Sequence, residues 1–281
     1  MSKNDQILIE QIIKEEHKKS DDYQSEDSFF EFYTASQVLR DYDLSYDQIE
    51  DGLCGESLDG GADGIFMFIN GDLIDEDSEV EDKYKRNLDL ELVIIQSKNE
   101  KSFGEDPILK LARLSRNLLD LEFDPCNFIG RYNERVIQKF ELFRNTYLKV
   151  ITKKPRLKLK YYYVSKGIDV HLNVTKQIAD LKSDVSTILT DSVIDFYTIG
   201  AAELLEIYRR KVNEVFSLKL AENPLSSQGK VFISLVKLRD FYTFITDSSG
   251  AIIRHIFEAN VRDYQGKTTL NQDIKAFSYT H

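Results

Sequence analysis

Apolar positions recur along this chain in two periods, helical and alternating, and the switches between them outline its elements. Leu8, Ile9, Ile12 and Ile13 repeat at helical spacing and predict a first helix ending near the polar stretch Lys18 to Asp22. A second helix is predicted with Phe29, Phe30, Tyr33, Val38 and Leu39 on its apolar face, Ser28 as its N-cap and Glu31 in its first turn. After the acidic, glycine-bearing loop Asp51 to Gly61 comes Ile65-Phe66-Met67-Phe68-Ile69, too short and too apolar for anything but a buried strand. Asn70-Gly71 turns it back, because both central residues of a type I′ hairpin need positive φ, and the return strand falls near Asp72 to Ile74.

An acidic excursion from Asp75 to Asp82 separates this hairpin from Leu90 to Lys98, whose β-branched centre predicts an interior, central strand. Pro107 suits the first turn of a helix bearing Ile108, Leu111, Leu114, Leu118 and Leu121, and a further helix is expected over about Asn133 to Val150. A strand at Leu157 to Val164 follows, then a helix near Val174 to Ile188, a strand at Val193 to Thr198, a helix from Ala201 to Val212 and a strand around Val231 to Val236. The expected class is therefore α/β, with a mixed central sheet flanked by helices. Topology places a domain boundary near 165, giving 1–165 and a C-terminal α/β extension over 166–281, although the later strands could equally extend the same sheet.

Composition excludes several classes. With 281 residues, 42% hydrophobic and 30% charged, the chain supports one large core or two modest domains. No apolar run of about 18 residues and no signal-like h-region is present, so a cytoplasmic protein without membrane contact is expected. Cys54 and Cys126 lie far apart, and His17, His171, His255 and His281 are scattered, which argues against a disulfide scaffold or a structural zinc site. The net charge of −11 is unevenly spread. Acidic residues dominate from Asp41 to Glu91, whereas Arg131 to Lys160 is strongly basic, and Lys153, Lys154 and Arg156 are the candidates there to receive nucleic-acid phosphates.

The candidate chemistry lies between these regions. Hydrolysing a phosphodiester needs charge neutralisation on the phosphate, an activated water and a cation near the reacting oxygens, with carboxylates to hold the metal. Asp63 stands at the mouth of the first strand, after Gly60-Gly61-Ala62, where small residues let a phosphate approach the backbone. Gln96 and Lys98 are two apart on the later strand and so share one face, while Ser97 points away. If the two strands are neighbours, Asp63 and Gln96 can ligate one Mg2+ or Mn2+ ion while Lys98 acts on the water and the developing phosphorane; Glu31, from the preceding helix, offers a further carboxylate. Each residue also has an ordinary structural role open to it: a turn aspartate satisfied by amides, and the polar end of a strand.

The segment from Phe30-Glu31 to Lys98, above all Asp59-Gly60-Gly61-Ala62-Asp63-Gly64-Ile65 with Glu91-Leu92-Val93-Ile94-Ile95-Gln96-Ser97-Lys98, resembles the Mrr-type branch of the PD-(D/E)XK nucleases, in which glutamine commonly replaces the second acid. Phe257-Glu258-Ala259-Asn260-Val261-Arg262-Asp263-Tyr264-Gln265-Gly266 resembles the signature of the abortive-infection phage-resistance (AIPR) proteins. The resemblance implies a restriction-endonuclease-like core, a role in bacterial antiphage defence, Asp63, Gln96 and Lys98 as catalytic positions, and Glu31 as the helix acid. Members of that family continue well past the Asn-Val-Arg-Asp-Tyr segment, so a fragment or a shortened relative is expected. The neutral Gln96 is a weaker magnesium ligand than a glutamate.

Gly229-Lys230 lacks the earlier glycine and following hydroxyl of a phosphate-binding loop, and Gly55-Glu56-Ser57 lacks the second glycine of a nucleophile elbow. Tyr161-Tyr162-Tyr163 suits core packing on a strand rather than base stacking, and Arg254, His255, Arg262 and Asp263 suit an ion-paired helix face. The expected activity is a metal-dependent endonuclease acting on DNA, with a ribonuclease sharing the same site and a non-catalytic nucleic-acid-binding or assembly module of a defence system as the alternative. Cutting both strands calls for two active sites, which a homodimer would supply, and a defence-system partner protein could act as trigger.

Overall fold

The computed structural model describes residues 3–20, 22–42, 44–55, 57–85, 87–209, 218–221, 225–227 and 231–246. The chain divides into two compact units, Met1–Arg209 and Arg210–His281. In the first, helices α1 (Lys3–Lys19), α2 (Glu26–Val38) and α3 (Tyr46–Gly52) precede strands β1 (Gly64–Ile69) and β2 (Asp72–Leu73). They are followed by α4 (Val80–Lys83), β3 (Asp89–Lys98), α5 (Asp106–Leu118), α6 (Glu134–Val150), β4 (Arg156–Ser165), α7 (Leu172–Ile188), β5 (Val193–Ile199) and α8 (Ala201–Arg209). The second unit contains the antiparallel pair β6 (Leu225–Ser227) and β7 (Val231–Ile233), then α9 (Leu238–Ile245). The AIPR-like segment at 257–266 lies outside the described residues.

The five strands of the first unit form one mixed sheet in the order β2-β1-β3-β4-β5. β1 runs antiparallel to β2 and β3, whereas β3, β4 and β5 are parallel. β5 pairs with β4 along its length, so the boundary expected near 165 falls inside this sheet and the compact unit continues to Arg209. The Asn70-Gly71 turn has the two positive φ angles expected of it, 53° and 87°.

Strand alternation divides the core between the two faces of the sheet. Ile65, Met67, Leu92, Ile94, Leu159 and Tyr161 join a cluster with residues of α5, α6 and α7; Phe66, Phe68, Val93, Ile95 and Val164 join another with α1, α2, α3 and α8. Helical cover on both faces explains why β3 reads as an almost unbroken apolar run. Of the three consecutive tyrosines, Tyr161 and Tyr163 are the fully buried ones. The Tyr161 hydroxyl hydrogen-bonds Ser115 Oγ at 2.8 Å and that of Tyr163 accepts from Gly104 N at 3.0 Å, so neither buried oxygen is orphaned. Tyr162 is partly exposed and stacks on Tyr197.

Two local readings change. α2 begins earlier than expected: Ser25, not Ser28, is the N-cap, its hydroxyl accepting from Ser28 N at 3.1 Å, and Glu31 lies in the second turn. Residues 46–52, for which no helix is expected and whose last two fall in the expected loop Asp51 to Gly61, form α3, opened by a reciprocal capping box between Ser45 and Gln48. No helix among the described residues is long and apolar enough to cross a membrane.

Candidate active site

The antiparallel register of β1 and β3 sets Gly64 opposite Ile95, so the preceding residue, Asp63, stands opposite Gln96. The Asp63 carbonyl accepts from Cys54 N at 2.8 Å, which fixes its backbone against the chain leaving α3. Its side chain is 2% exposed, and Oδ2 accepts two hydrogen bonds of 2.5 Å, from Gln96 Nε2 and from the backbone N–H of Ser97. Ser97 points to the opposite face, as alternation requires, where its hydroxyl meets Thr34 Oγ1 at 2.6 Å. Thr34 is one turn beyond Glu31 on α2, so this buried contact braces the end of β3 against the helix that carries the second acid.

Lys98 follows at the half-buried end of β3 and has no ion-pair partner among the described residues. Glu31 lies against the loop at Gly55, where a Cβ would sit 2.2 Å from its Oε2. Burial raises the Glu31 carboxyl to about 7, the Asp59 charge adds to the rise and Lys98 opposes it. Asp63 is also raised, by burial first and then by Glu31, against the Ser97 N–H and Lys98. The structure therefore brings together Asp63, Gln96, Glu31 and Lys98, in direct contact for the first pair and in mutual electrostatic range for the rest.

The donor set suits a hard divalent cation. Gln96 Oε1 is buried and has no hydrogen-bond partner, a condition that costs about 1–3 kcal/mol when nothing compensates it. Gly61 packs closely beside that oxygen: a Cβ there would lie 2.9 Å from it. Among the described residues, no three or more His, Cys, Asp or Glu side chains are grouped so as to hold a metal by themselves. A cation here would rely on mixed oxygens, the Asp63 and Glu31 carboxylates with the Gln96 carbonyl, and would keep several waters, as magnesium does. Cys54 is no competing nucleophile, since burial pushes its thiol up to about 12.

These raised carboxyls make stability pH-dependent. Glu31 titrates near 4.5 when unfolded and about 7 when folded, so between those values the native state holds more protons and stability falls as pH rises. Glu31→Gln removes that penalty. We expect it to raise the melting temperature of the metal-free protein above pH 7, to change little below pH 4.5, and to reduce the stabilisation given by Mn2+. Thermal melts across that window check this, and a variant less stable than wild type above pH 7 would contradict it.

Lys153, Lys154 and Arg156, the expected phosphate contacts, are not brought to the site. Arg156 pairs with Asp89 at the start of β3, whereas Gln96 and Lys98 pair with Tyr163 and Ser165 at its end. Along a parallel ladder of this length the separation is about 30 Å. Much of the basic stretch is already engaged. Lys153 donates to the carbonyls of Glu81 and Tyr84, Lys158 pairs with Asp89, and Lys160 pairs with Glu91. Arg135 and Arg144 donate to the carbonyls of Leu53 and Phe123. The cations that do border the site are Lys110 and Arg113 on α5 and Arg131 in the turn before α6. The first two sit at i,i+3 on the polar side of an apolar helix, a pattern legible in the sequence without indicating what they face.

Comparison with known protein families, with curated proteins and with solved structures yields no match.

Proposed function

We propose that the unit 1–209 is a divalent-metal-dependent nuclease with a restriction-endonuclease-like PD-(D/E)XK core, acting on DNA in antiphage defence in the bacterial cytoplasm. The observation that supports it most is the buried Asp63–Gln96 pair, with an unpartnered Gln96 oxygen and Glu31 and Lys98 at its mouth. In this reading Asp63, Glu31 and Gln96 Oε1 hold Mg2+ or Mn2+. Such an ion supplies charge neutralisation on the scissile phosphate and acidifies the attacking water. Lys98, whose ammonium has no ion-pair partner among the described residues and lies two residues from Gln96 on the same face, hydrogen-bonds the phosphate oxygen on which charge develops. The Gly60-Gly61 turn, both residues at positive φ, packs closely against Tyr132, Leu114, Lys110 and Gln96 and so holds Asp63 at the start of β1. Because Asp63 and Glu31 are raised without metal, cation binding releases protons, and apparent metal affinity increases with pH.

The test is cleavage of supercoiled plasmid, single-stranded DNA and RNA in Mg2+ or Mn2+, comparing the wild type with Lys98→Ala. Loss of about 10²–10³-fold is expected for the variant, the scale of removing one preorganised donor to developing charge, with no loss of fold. A non-catalytic binding module predicts instead that no form cleaves and that Lys98→Ala leaves function intact. Absence of cleavage in all three substrates, together with no metal-induced thermal shift, would end the nuclease reading.

A further inference from the structure

Beside the carboxylates lies an open cavity of ≈ 290 Å³ bordered by Lys110, Arg113 and Arg131, with Leu58 and Asp59 on its rim and Gly60 in its wall. We propose that this groove binds the nucleic-acid backbone next to the scissile phosphate, the three cations receiving the flanking phosphates. The inference rests on the nuclease reading for what the groove feeds, but its binding role stands on separate observations.

The groove and the candidate active site share one piece of backbone. Gly60 lines the cavity, and Gly61 faces both Gln96 Oε1 and Lys110, whose Cβ a side chain at 61 would meet at 2.9 Å. A strand lying across the three cations thus reaches Asp63 within a few residues of chain. The cations are also available. In a protein of net charge −11, Lys110, Arg113 and Arg131 are all exposed, and their side chains have no ion-pair or hydrogen-bond partner among the described residues. Asp59 is the one carboxylate among the lining residues, so three cations face a single anion there, and its Oδ1 accepts from Gly61 N at 2.6 Å.

The walls are preorganised as well. Tyr132 is 5% exposed and its hydroxyl accepts from Asn117 Nδ2 at 2.7 Å, which anchors the turn that presents Arg131. Asn133 fastens the opposite wall, its backbone N–H donating to Leu58 O at 2.9 Å and its side chain to Cys54 O at 2.9 Å. That wall holds Leu58 in a left-handed conformation with φ 69° while its side chain is 52% exposed, an apolar contact for a base or sugar on the groove's rim. Arg131 also lies over the Tyr132 ring, 6.0 Å from its centroid, a contact that leaves its N–H donors available. Backbone phosphates met by clustered cations without ion-pair partners give sequence-independent, salt-sensitive binding.

The experiment measures binding of the full-length protein to labelled DNA and RNA oligonucleotides by anisotropy across a salt series, with Ca2+ as the divalent ion. The variants are Lys110→Glu, Arg113→Glu with Arg131→Glu, and Arg156→Glu as a control at the far end of the sheet. The double variant is expected to lose about tenfold or more in affinity, and each cation removed to lower the salt slope by about 1, with Arg156→Glu unchanged. All four positions are exposed, and melting temperatures within the wild-type range confirm that the variants fold. Wild-type affinity and slope in the double variant, or an equal loss in Arg156→Glu, would overturn the inference. If the groove variants lose binding but the wild type cleaves nothing, the nuclease chemistry fails and the groove stands. If the wild type cleaves with Lys98→Ala inactive while the groove variants bind and cleave normally, the groove fails and the nuclease stands.

Discussion

On the proposed nuclease reading, Asp63→Asn is expected to lower metal-dependent phosphodiester cleavage by about 10³-fold or more while the protein stays folded. The two properties separate because Asp63 would then serve two purposes. Structurally, Oδ2 accepts from Gln96 Nε2 and Ser97 N, and an amide oxygen in the same place accepts the same two bonds. Chemically, the carboxylate supplies charge that an amide lacks, and losing a charged ligand to a catalytic divalent ion removes several kcal/mol of transition-state stabilisation, of which about 4 kcal/mol already amounts to 10³-fold. The metal-free variant should in addition be more stable than wild type near neutral pH, since a carboxyl whose pKa is raised by burial and by Glu31 is costly to ionise there. Plasmid nicking in Mn2+ and thermal melts with and without the ion measure both halves. Nicking by Asp63→Asn at the wild-type rate would remove Asp63 from the reaction.

The second large effect falls on stability. Gly52 ends α3, and a Cβ there would sit 2.0 Å from Phe66 Cε1 and within 2.5 Å of two further ring carbons. The Phe66 ring is 2% exposed, on the β1 face that packs against α2 and α3, so it cannot swing into solvent. Gly52→Ala should therefore cost about 3 kcal/mol, at the upper end of overpacking penalties, and should also disturb Asp63, whose carbonyl the chain leaving α3 holds through Cys54. Phe66→Leu makes room, so the double variant should be more stable than the sum of the two single changes predicts. Denaturant unfolding of the four proteins in this cycle gives the coupling. An additive result would mean that the ring does not occupy the space beside Gly52.

Strand alternation and turn chemistry are legible in the chain because they depend on near neighbours alone. Alternation placed Gln96 and Lys98 on one face with Ser97 reversed, and the structure has Ser97 bonded to Thr34 on the other side. The Asn-Gly pair located the hairpin through the positive φ both residues adopt. α3 was missed, although Ser45 and Gln48 carry the spacing of a capping box, a local signal independent of the apolar period. The N-cap of α2 was misplaced because Ser25 and Ser28 both suit the role and only the packed helix decides between them.

What the sequence by itself determined about this protein is the existence of the central strands, the turn between the first two and the shared face of the Gln96-Lys98 pair, since periodicity and turn chemistry act within a few residues. Only the tertiary structure decided that Asp63 lies opposite Gln96, through a pairing between strands some thirty residues apart. It also decided that β5 completes the sheet begun by β1 and that the cations beside the site are Lys110, Arg113 and Arg131. Lys153 and Arg156 were carried to the opposite end by the parallel register of β3 and β4. Charge along a chain records composition, whereas charge around a site depends on the direction in which strands pair and on which cations the fold has already committed to carbonyls and carboxylates.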